Sequence, residues 1–236
     1  MSRVFPVLLA GLALLGTASA AQAVVITTPT QTITFAQTPT DWDQSGTIQL
    51  FDGSLGTLLS VTLSARFAET STVTVSNSPS ALKASTGSAR TESILQLSSD
   101  VSGITDAIQS ALGSGTPDTL DLLGTKFFYS RLAAGASASG PSNGSIASGI
   151  VLDTDPADLA AFEAAGPVFA TIFASTNTLT VLSNTGGNAS ASQVTSASGN
   201  FTVAYTYRQA VPEPGSIVLV GVGLVGAGFI RRRSIR

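Results

Sequence analysis

The sequence predicts an all-β, sandwich-like body with one or two short helices, framed by an N-terminal signal-peptide helix and a C-terminal transmembrane helix. Three observations carry this. Apolar residues alternate at strict period two along several runs, the spacing that gives a strand one buried and one solvated face. Threonine and valine dominate these runs, and Gly, Ser, Asn and Pro separate them at spacings typical of sandwiches. Both ends of the chain instead carry uninterrupted apolar stretches bounded by small or basic residues.

The first segment, MSRVFPVLLAGLALLGTASAAQA, places Arg3 before an apolar stretch from Val4 to Leu15 and ends in small residues at Ala21-Gln22-Ala23. This is the order of a secretory signal peptide with a small-x-small cleavage site, and it is too short for a comfortable membrane span. Signal peptidase is therefore expected to remove residues 1–23 by cutting after Ala23, with Ala20 as the alternative. Residues 24–208 follow as one extracytoplasmic domain, since neither a repeat nor a break in composition divides them.

Within that body, TLLSVTLSARF sets Leu59, Val61, Leu63, Ala65 and Phe67 on one face of a strand, and GNFTVAYTYRQ does the same with Phe201, Val203, Tyr205 and Tyr207. Shorter strands are expected at 24–35, 47–51, 72–76, 126–131 and 145–152. Residues 168–182 predict two strands or one bent strand, because Asn177 interrupts the run. Two pieces predict helices that pack over a sheet end. In SDVSGITDAIQSALGSG, Val101, Ile104, Ile108 and Leu112 stand near helical spacing, with Gly113 as a stop. In DPADLAAFEAAGP, Asp155 caps, Pro156 suits the first turn, Leu159 and Phe162 form an apolar stripe, and Gly166-Pro167 ends it. Residues 135–145 and 183–193 have the composition of flexible loops.

Charge narrows the partners. Residues 24–211 hold six basic side chains, Arg66, Lys83, Arg90, Lys126, Arg131 and Arg208, against thirteen acidic ones, a balance near −7. Scattered cations on an acidic body disfavour nucleic acid and anionic membrane surfaces. Cysteine is absent, so stability rests on an apolar core instead of disulfides.

The last segment, 209–236, ends in VPEPGSIVLVGVGLVGAGFIRRRSIR. Ile217 to Ile230 is uncharged and about 21 Å long as a helix, against a hydrocarbon core of about 30 Å. Gly215 and Ser216 extend the span at one end, and Arg231, Arg232 and Arg233 snorkel toward head groups at the other, giving a helix over about 215–230 and a basic tail at 231–236. The arginines act as a stop-transfer signal and stay cytoplasmic, which exports Pro214 and everything before it. The signal peptide exports the same residues. Gly221, Gly223 and Gly226 match G-x-G-x-x-G, but that pattern binds dinucleotides only between a strand and a helix with an acidic residue about 20 positions on, and the chain ends first. Glycines that admit a second membrane helix explain them better.

Pro212-Glu213-Pro214, the apolar helix and the arginine cluster together resemble the PEP-CTERM sorting signal of Gram-negative bacteria. The resemblance implies cleavage near the motif, around Gly215 and Ser216, by a membrane-embedded exosortase, with a transient inner-membrane anchor and passage to the cell surface or an extracellular polymer matrix. The body is similar to the choice-of-anchor E domain in FDGSLGTLLSVTLS (51–64), DLAAFEAAGPVFATIF, the NTGGNAS loop and TVAYTYR (202–208). That resemblance implies an extracellular β-sandwich and supplies no catalytic residues.

Catalytic chemistry has few carriers here. Without histidine or cysteine, serine–histidine and cysteine–histidine systems and most zinc or copper sites are excluded. Carboxylate pairs for glycoside hydrolysis exist at Asp41/Asp43 and Asp153/Asp155, yet both flank turns, where aspartate caps backbone N–H groups. A Ser/Lys dyad needs Lys83 or Lys126 desolvated. Asp41, Asp43 and Asp52 offer oxygen ligands for calcium but form no D-x-D-x-D-G loop. Trp42 between two aspartates is a candidate carbohydrate platform, although a lone Trp beside a strand more often covers a core edge. The sequons at Asn143, Asn188 and Asn200 arise readily by chance in such a composition. The expectation is a surface or matrix protein with a structural or adhesive role, not an enzyme, with no catalytic residue, metal or cofactor, and exopolysaccharide as a partner. The alternative is a carbohydrate-binding module for that polymer.

Overall fold

A computed structural model describes residues 23–112, 119–148 and 151–209. Its spine is a pair of long antiparallel strands, β5 (Gly56–Asn77) and β14 (Ala189–Gln209), registered from Gly56↔Gln209 to Asn77↔Ala189. At about 3.3 Å per residue they run roughly 70 Å. Strands β1 (Val25–Thr27) and β2 (Gln31–Pro39) pair with the free side of β14. The far side of β5 takes β9 (Ser137–Pro141), β10 (Gly144–Ala147) and β11 (Val151–Asp153). The second sheet orders β3 (Asp43–Gln49), β13 (Phe169–Thr185) and β6 (Ser85–Ser99), with β7 (Thr119–Leu123) and β8 (Phe127–Leu132) sharing the far side of β6. A small parallel pair joins β4 (Phe51–Asp52) to β12 (Glu163–Ala164).

The inward faces of the two sheets make an all-β sandwich, and the alternation that predicts it is realised in β5: Val61, Leu63, Ala65 and Phe67 are buried. Leu59 departs from that face. A register shift between Thr206 and Tyr207 of β14 leaves Leu59 without an opposite residue, and Leu58 enters the core in its place. In β14, Phe201, Val203, Tyr205 and Tyr207 all point inward as expected.

Several boundaries differ from expectation. Residues 72–76 are the continuation of β5, not a separate strand. The expected 24–35 strand is two strands broken around Pro29, and 145–152 divides into β10 and β11. Asn177 does not interrupt 168–182: β13 is continuous, because Asn177 lies on the outer face where an amide meets water. The serine-rich stretches 135–145 and 183–193 are largely strand, with turns at 133–136 and 186–188, since ladder partners on β5 and β6 fix their backbone where composition alone leaves it free. Both helices appear. The first, α1 (Ser102–Leu112), buries Ile104, Ala107 and Ile108. The second, α2 (Pro156–Ala161), is capped by Asp155 accepting from the Ala157 N–H at 2.9 Å. It stops at Phe162, earlier than Gly166-Pro167, because Phe162 turns into the core and the chain enters β12. Gly113 lies outside the described residues.

The interior is divided along its length. A large cluster around Phe35, Phe67, Leu95, Ile172 and Phe201 fills the end bearing both helices, and a small one, Val73, Val75, Ala89, Tyr129 and Leu132, fills the other. Asn77 locks that far end: its buried amide donates to the carbonyls of Lys83 (3.1 Å) and Leu132 (2.9 Å) and accepts from the Asn188 N–H (2.8 Å). Gly187, at φ +65, completes the turn, where a Cβ would press on the Asn77 carbonyl oxygen. Asn77→Ala strands these three backbone groups and is expected to lower stability by about 1–3 kcal/mol in urea denaturation, with the unfolding slope unchanged.

Candidate functional site

The chain enters and leaves the sandwich at one place. Ala23 is exposed and lies two residues before β1, whose Val25 stands opposite Arg208 near the end of β14. The Gln209 N–H donates to the Val24 carbonyl at 2.9 Å, so the two ends of the body lie side by side. This end is held firmly. Tyr205 is buried among Phe51 and Phe162, with ring centroids 6.0 and 6.3 Å away, and Tyr207 lies 5.0 Å from Phe51. The Tyr205 hydroxyl donates to the Gln49 carbonyl at 2.9 Å, tying the last strand of one sheet to β3 of the other. Its N–H donates to the Thr28 hydroxyl (3.0 Å), while the Thr28 N–H reaches the Tyr205 carbonyl (2.8 Å). A pull on the tail after Gln209 therefore acts on a strand anchored by aromatic packing and by ladders on both sides. Ala21, Pro212, Glu213, Pro214, Gly215, Ser216, Arg231, Arg232 and Arg233 lie outside the described residues.

Trp42, Asp41, Asp52 and Asp155 are occupied by structural tasks, and the Asp153 side chain lies outside what the structure describes. Trp42 is buried, its ring 6.1 Å from Phe35 and its indole N–H donating to the Ala197 carbonyl at 3.2 Å. It covers a core edge and offers no face to a sugar. Asp41, at φ 66, accepts from the Thr178 N–H at 3.0 Å. Asp52 accepts from the Ser54 N–H at 2.9 Å, and this bond, with help from the Ser54 hydroxyl and Gly166, holds its carboxyl below the usual range. The seven extended residues of β3 hold Asp43 about 20 Å from the far end of that strand, beyond which Asp52 lies, so these aspartates cannot share a calcium ion. Asp155 is a helix cap, and Lys83 and Lys126 are exposed instead of desolvated. Among the described residues, no group of three acidic side chains is placed to hold a metal. An open depression of about 670 Å³ lies beside Asp52, Ser54, Glu163 and Gly166. Its carboxylates face solvent and none pairs with a base.

One buried group has no counterpart in the sequence reading. Glu69, 3% exposed, sits between the two apolar clusters and accepts from the Thr91 hydroxyl at 2.6 Å and from the Ser93 hydroxyl. Ser142 joins through Thr91, donating to or accepting from its hydroxyl at 3.1 Å, and Ser71 bonds Thr195 at 2.7 Å nearby. Gly124 permits the arrangement, since a Cβ there would collide with Thr91, Ser142 and the Glu69 carboxylate. The signal lay in the alternation: continuing the inward parity of β5 past Phe67 reaches Glu69 and Ser71 before Val73. With each carboxylate oxygen holding a hydroxyl and no open face, the cluster is a polar partition within the core.

Residues 210–233 match the PEP-CTERM protein-sorting motif. No curated protein matches the chain. Among solved structures it is weakly similar to that of the infectious bursal disease virus Gx strain, at 14% identity and TM-score 0.15 over 78% of this chain and 37% of that one. The Gt strain of the same virus gives 11% identity and TM-score 0.14 over 85% and 48%, and the infectious bursal disease virus VP2 subviral particle gives 11% and 0.15 over 83% and 49%. The chain spans less than half the length of each, and likenesses at these scores carry no argument about fold or role.

Burial at the anchored end has a pH signature. Desolvation pushes the Tyr205 phenol up from its ordinary value of 10.0, so the fold favours the neutral form. Its contribution to stability is complete below pH 10 and is lost as pH rises, because the unfolded chain ionises first. Denaturation midpoints are expected to fall above pH 10, and less steeply in Tyr205→Phe; an equal decline in both would place the alkaline loss elsewhere.

Proposed function

We infer a structural or adhesive, non-catalytic role outside the cell for this chain, whose residues 210–233 carry the PEP-CTERM protein-sorting motif. The motif makes the protein one that is exported, passes through the membrane, is processed by an exosortase and ends at the cell surface. One structural observation supports the rest: the motif begins at the residue after Gln209, the end of the strand that spans the whole sandwich and pairs with β5 along its length and with β2 and β1 on its other side from Ser196 onward. Such a junction suits a domain that is held, not one that turns over substrate. In this reading Arg231, Arg232 and Arg233 keep the C-terminus cytoplasmic until cleavage around Gly215 and Ser216, and signal peptidase cuts beside Ala21 and Ala23.

With Val24 and Gln209 hydrogen-bonded, both processing points leave the same end, and the long axis of the body carries its opposite end away from the membrane. The Ser/Thr-rich outer faces then meet the surface polymer, with exopolysaccharide as the partner. The likeness of 24–208 to choice-of-anchor E domains belongs to the same reading. Trp42, engaged in the core, lends no support to a carbohydrate-binding module built on it.

Intact-mass spectrometry of the surface fraction tests the route. The expected species begins at Val24 and lacks Arg231 to Arg236, and Glu213→Ala shifts the protein to an unprocessed, membrane-bound form. An intact tail on the surface protein, or normal trimming of Glu213→Ala, overturns it.

A further inference from the structure

We propose that the outer edge of β13 from Leu179 to Ser183 pairs antiparallel with the same edge of a second copy of this chain. Most flanks of the sandwich are closed. On one side the side chains of Gln31 and Gln44 stitch β2 to β3, through Gln49 (2.8 and 2.7 Å) and Ala36 (2.9 Å). On the other, Thr125 and Asn143 bond across the sheets, the Thr125 N–H to the Asn143 carbonyl at 3.0 Å. The stitched flank ends at Asp41. Strand β3 pairs with β13 only as far as Ser175, and β2 pairs with β14 only from Ser196, so beyond these points each long strand has a partner on one side alone among the described residues.

The direction of the free backbone groups is fixed by what precedes them. The Thr176 N–H donates to the Trp42 carbonyl and the Thr178 N–H to Asp41, so even-numbered residues turn their amides to this edge. Thr180, Leu182 and Asn184 continue the row without a strand beside them. Such a row is a template for another strand, and natural proteins blunt it with lysine, proline or inward charge. Residues 177–195, which run along both open edges, contain no charged residue and no proline. They instead expose Leu179 (45%) and Val194 (78%).

Self-pairing follows from the parity. With a two-fold axis at Val181, Thr180 falls opposite Leu182, joining even to even so that their outward amides and carbonyls meet, while the Thr178 N–H stays with Asp41 and its carbonyl with the Gln193 side chain. Leu179 falls opposite Ser183, and no like charges oppose. Val181 meets its own copy as a non-hydrogen-bonded pair, with Cα atoms about 4.5 Å apart, within disulfide range. The edge belongs to the end of the sandwich remote from Val24 and Gln209, so the pairing rests on the fold alone and is independent of the sorting route.

The absence of native cysteine makes the test clean. In the exported protein, Val181→Cys is expected to form a disulfide dimer under mild oxidation at least about tenfold faster than Phe128→Cys, an exposed position on the opposite side of the same sheet, because pairing raises local thiol concentration. Adding Thr180→Pro, which removes an outward N–H, or Leu179→Lys, which leaves the backbone intact, abolishes the advantage. Equal rates at positions 181 and 128, or a rate at 181 indifferent to Leu179→Lys, overturns the proposal.

Discussion

The β5–β14 ladder is the constraint on which the molecule depends. It is nearly unbroken from Gly56↔Gln209 to Asn77↔Ala189, and it joins residues more than a hundred positions apart in sequence. Every other strand of the first sheet attaches to one of these two, and the inward face of the second sheet packs on them. Its closure waits on the last residues of the body, since β14 ends where the sorting segment begins. The domain is therefore complete only when the whole of 24–209 is present on the same side of the membrane.

So long a strand pair cannot be filled by one apolar core without a break. The larger cluster is sealed by α1 and Phe162, the smaller by Tyr129 and the Asn77 turn, and Glu69 with Thr91, Ser93 and Ser142 lies between. Buried polar clusters cost desolvation and stabilise only when every partner is supplied. Here the partners come from β5, β6 and the segment after β9, so the cluster rewards one register of three separate strands and penalises a slip of any of them. The anchored end acts in the same way through Tyr205, whose hydroxyl reaches Gln49 only when the two sheets stand at the correct offset.

Placement also explains why the sequence's candidate chemistry dissolves. Asp41, Asp52 and Asp155 each satisfy backbone N–H groups at turns or caps, the ordinary work of short acidic side chains. Trp42 is a candidate platform in the sequence because Asp41 and Asp43 flank it, and the core-edge reading favoured over it is the one realised. The left-handed backbone at Asp41 turns the chain so that the indole enters the core while both carboxylates stay near water.

The sequence by itself determined the all-β class, most inward residues of the two longest strands, both helices with the Asp155 cap of the second, and the sorting segment that follows the body. These are local: period-two alternation, capping chemistry and a contiguous motif each act within a few residues. Only the tertiary structure decided that β5 and β13 run unbroken, that the serine-rich stretches are strands, that Leu58 replaces Leu59 in the core, and that the two ends of the body meet. Those outcomes depend on which distant strand supplies the hydrogen bonds. Serine and asparagine are indifferent between loop and ladder until a partner is present, and a bulge is set by the register of two strands jointly.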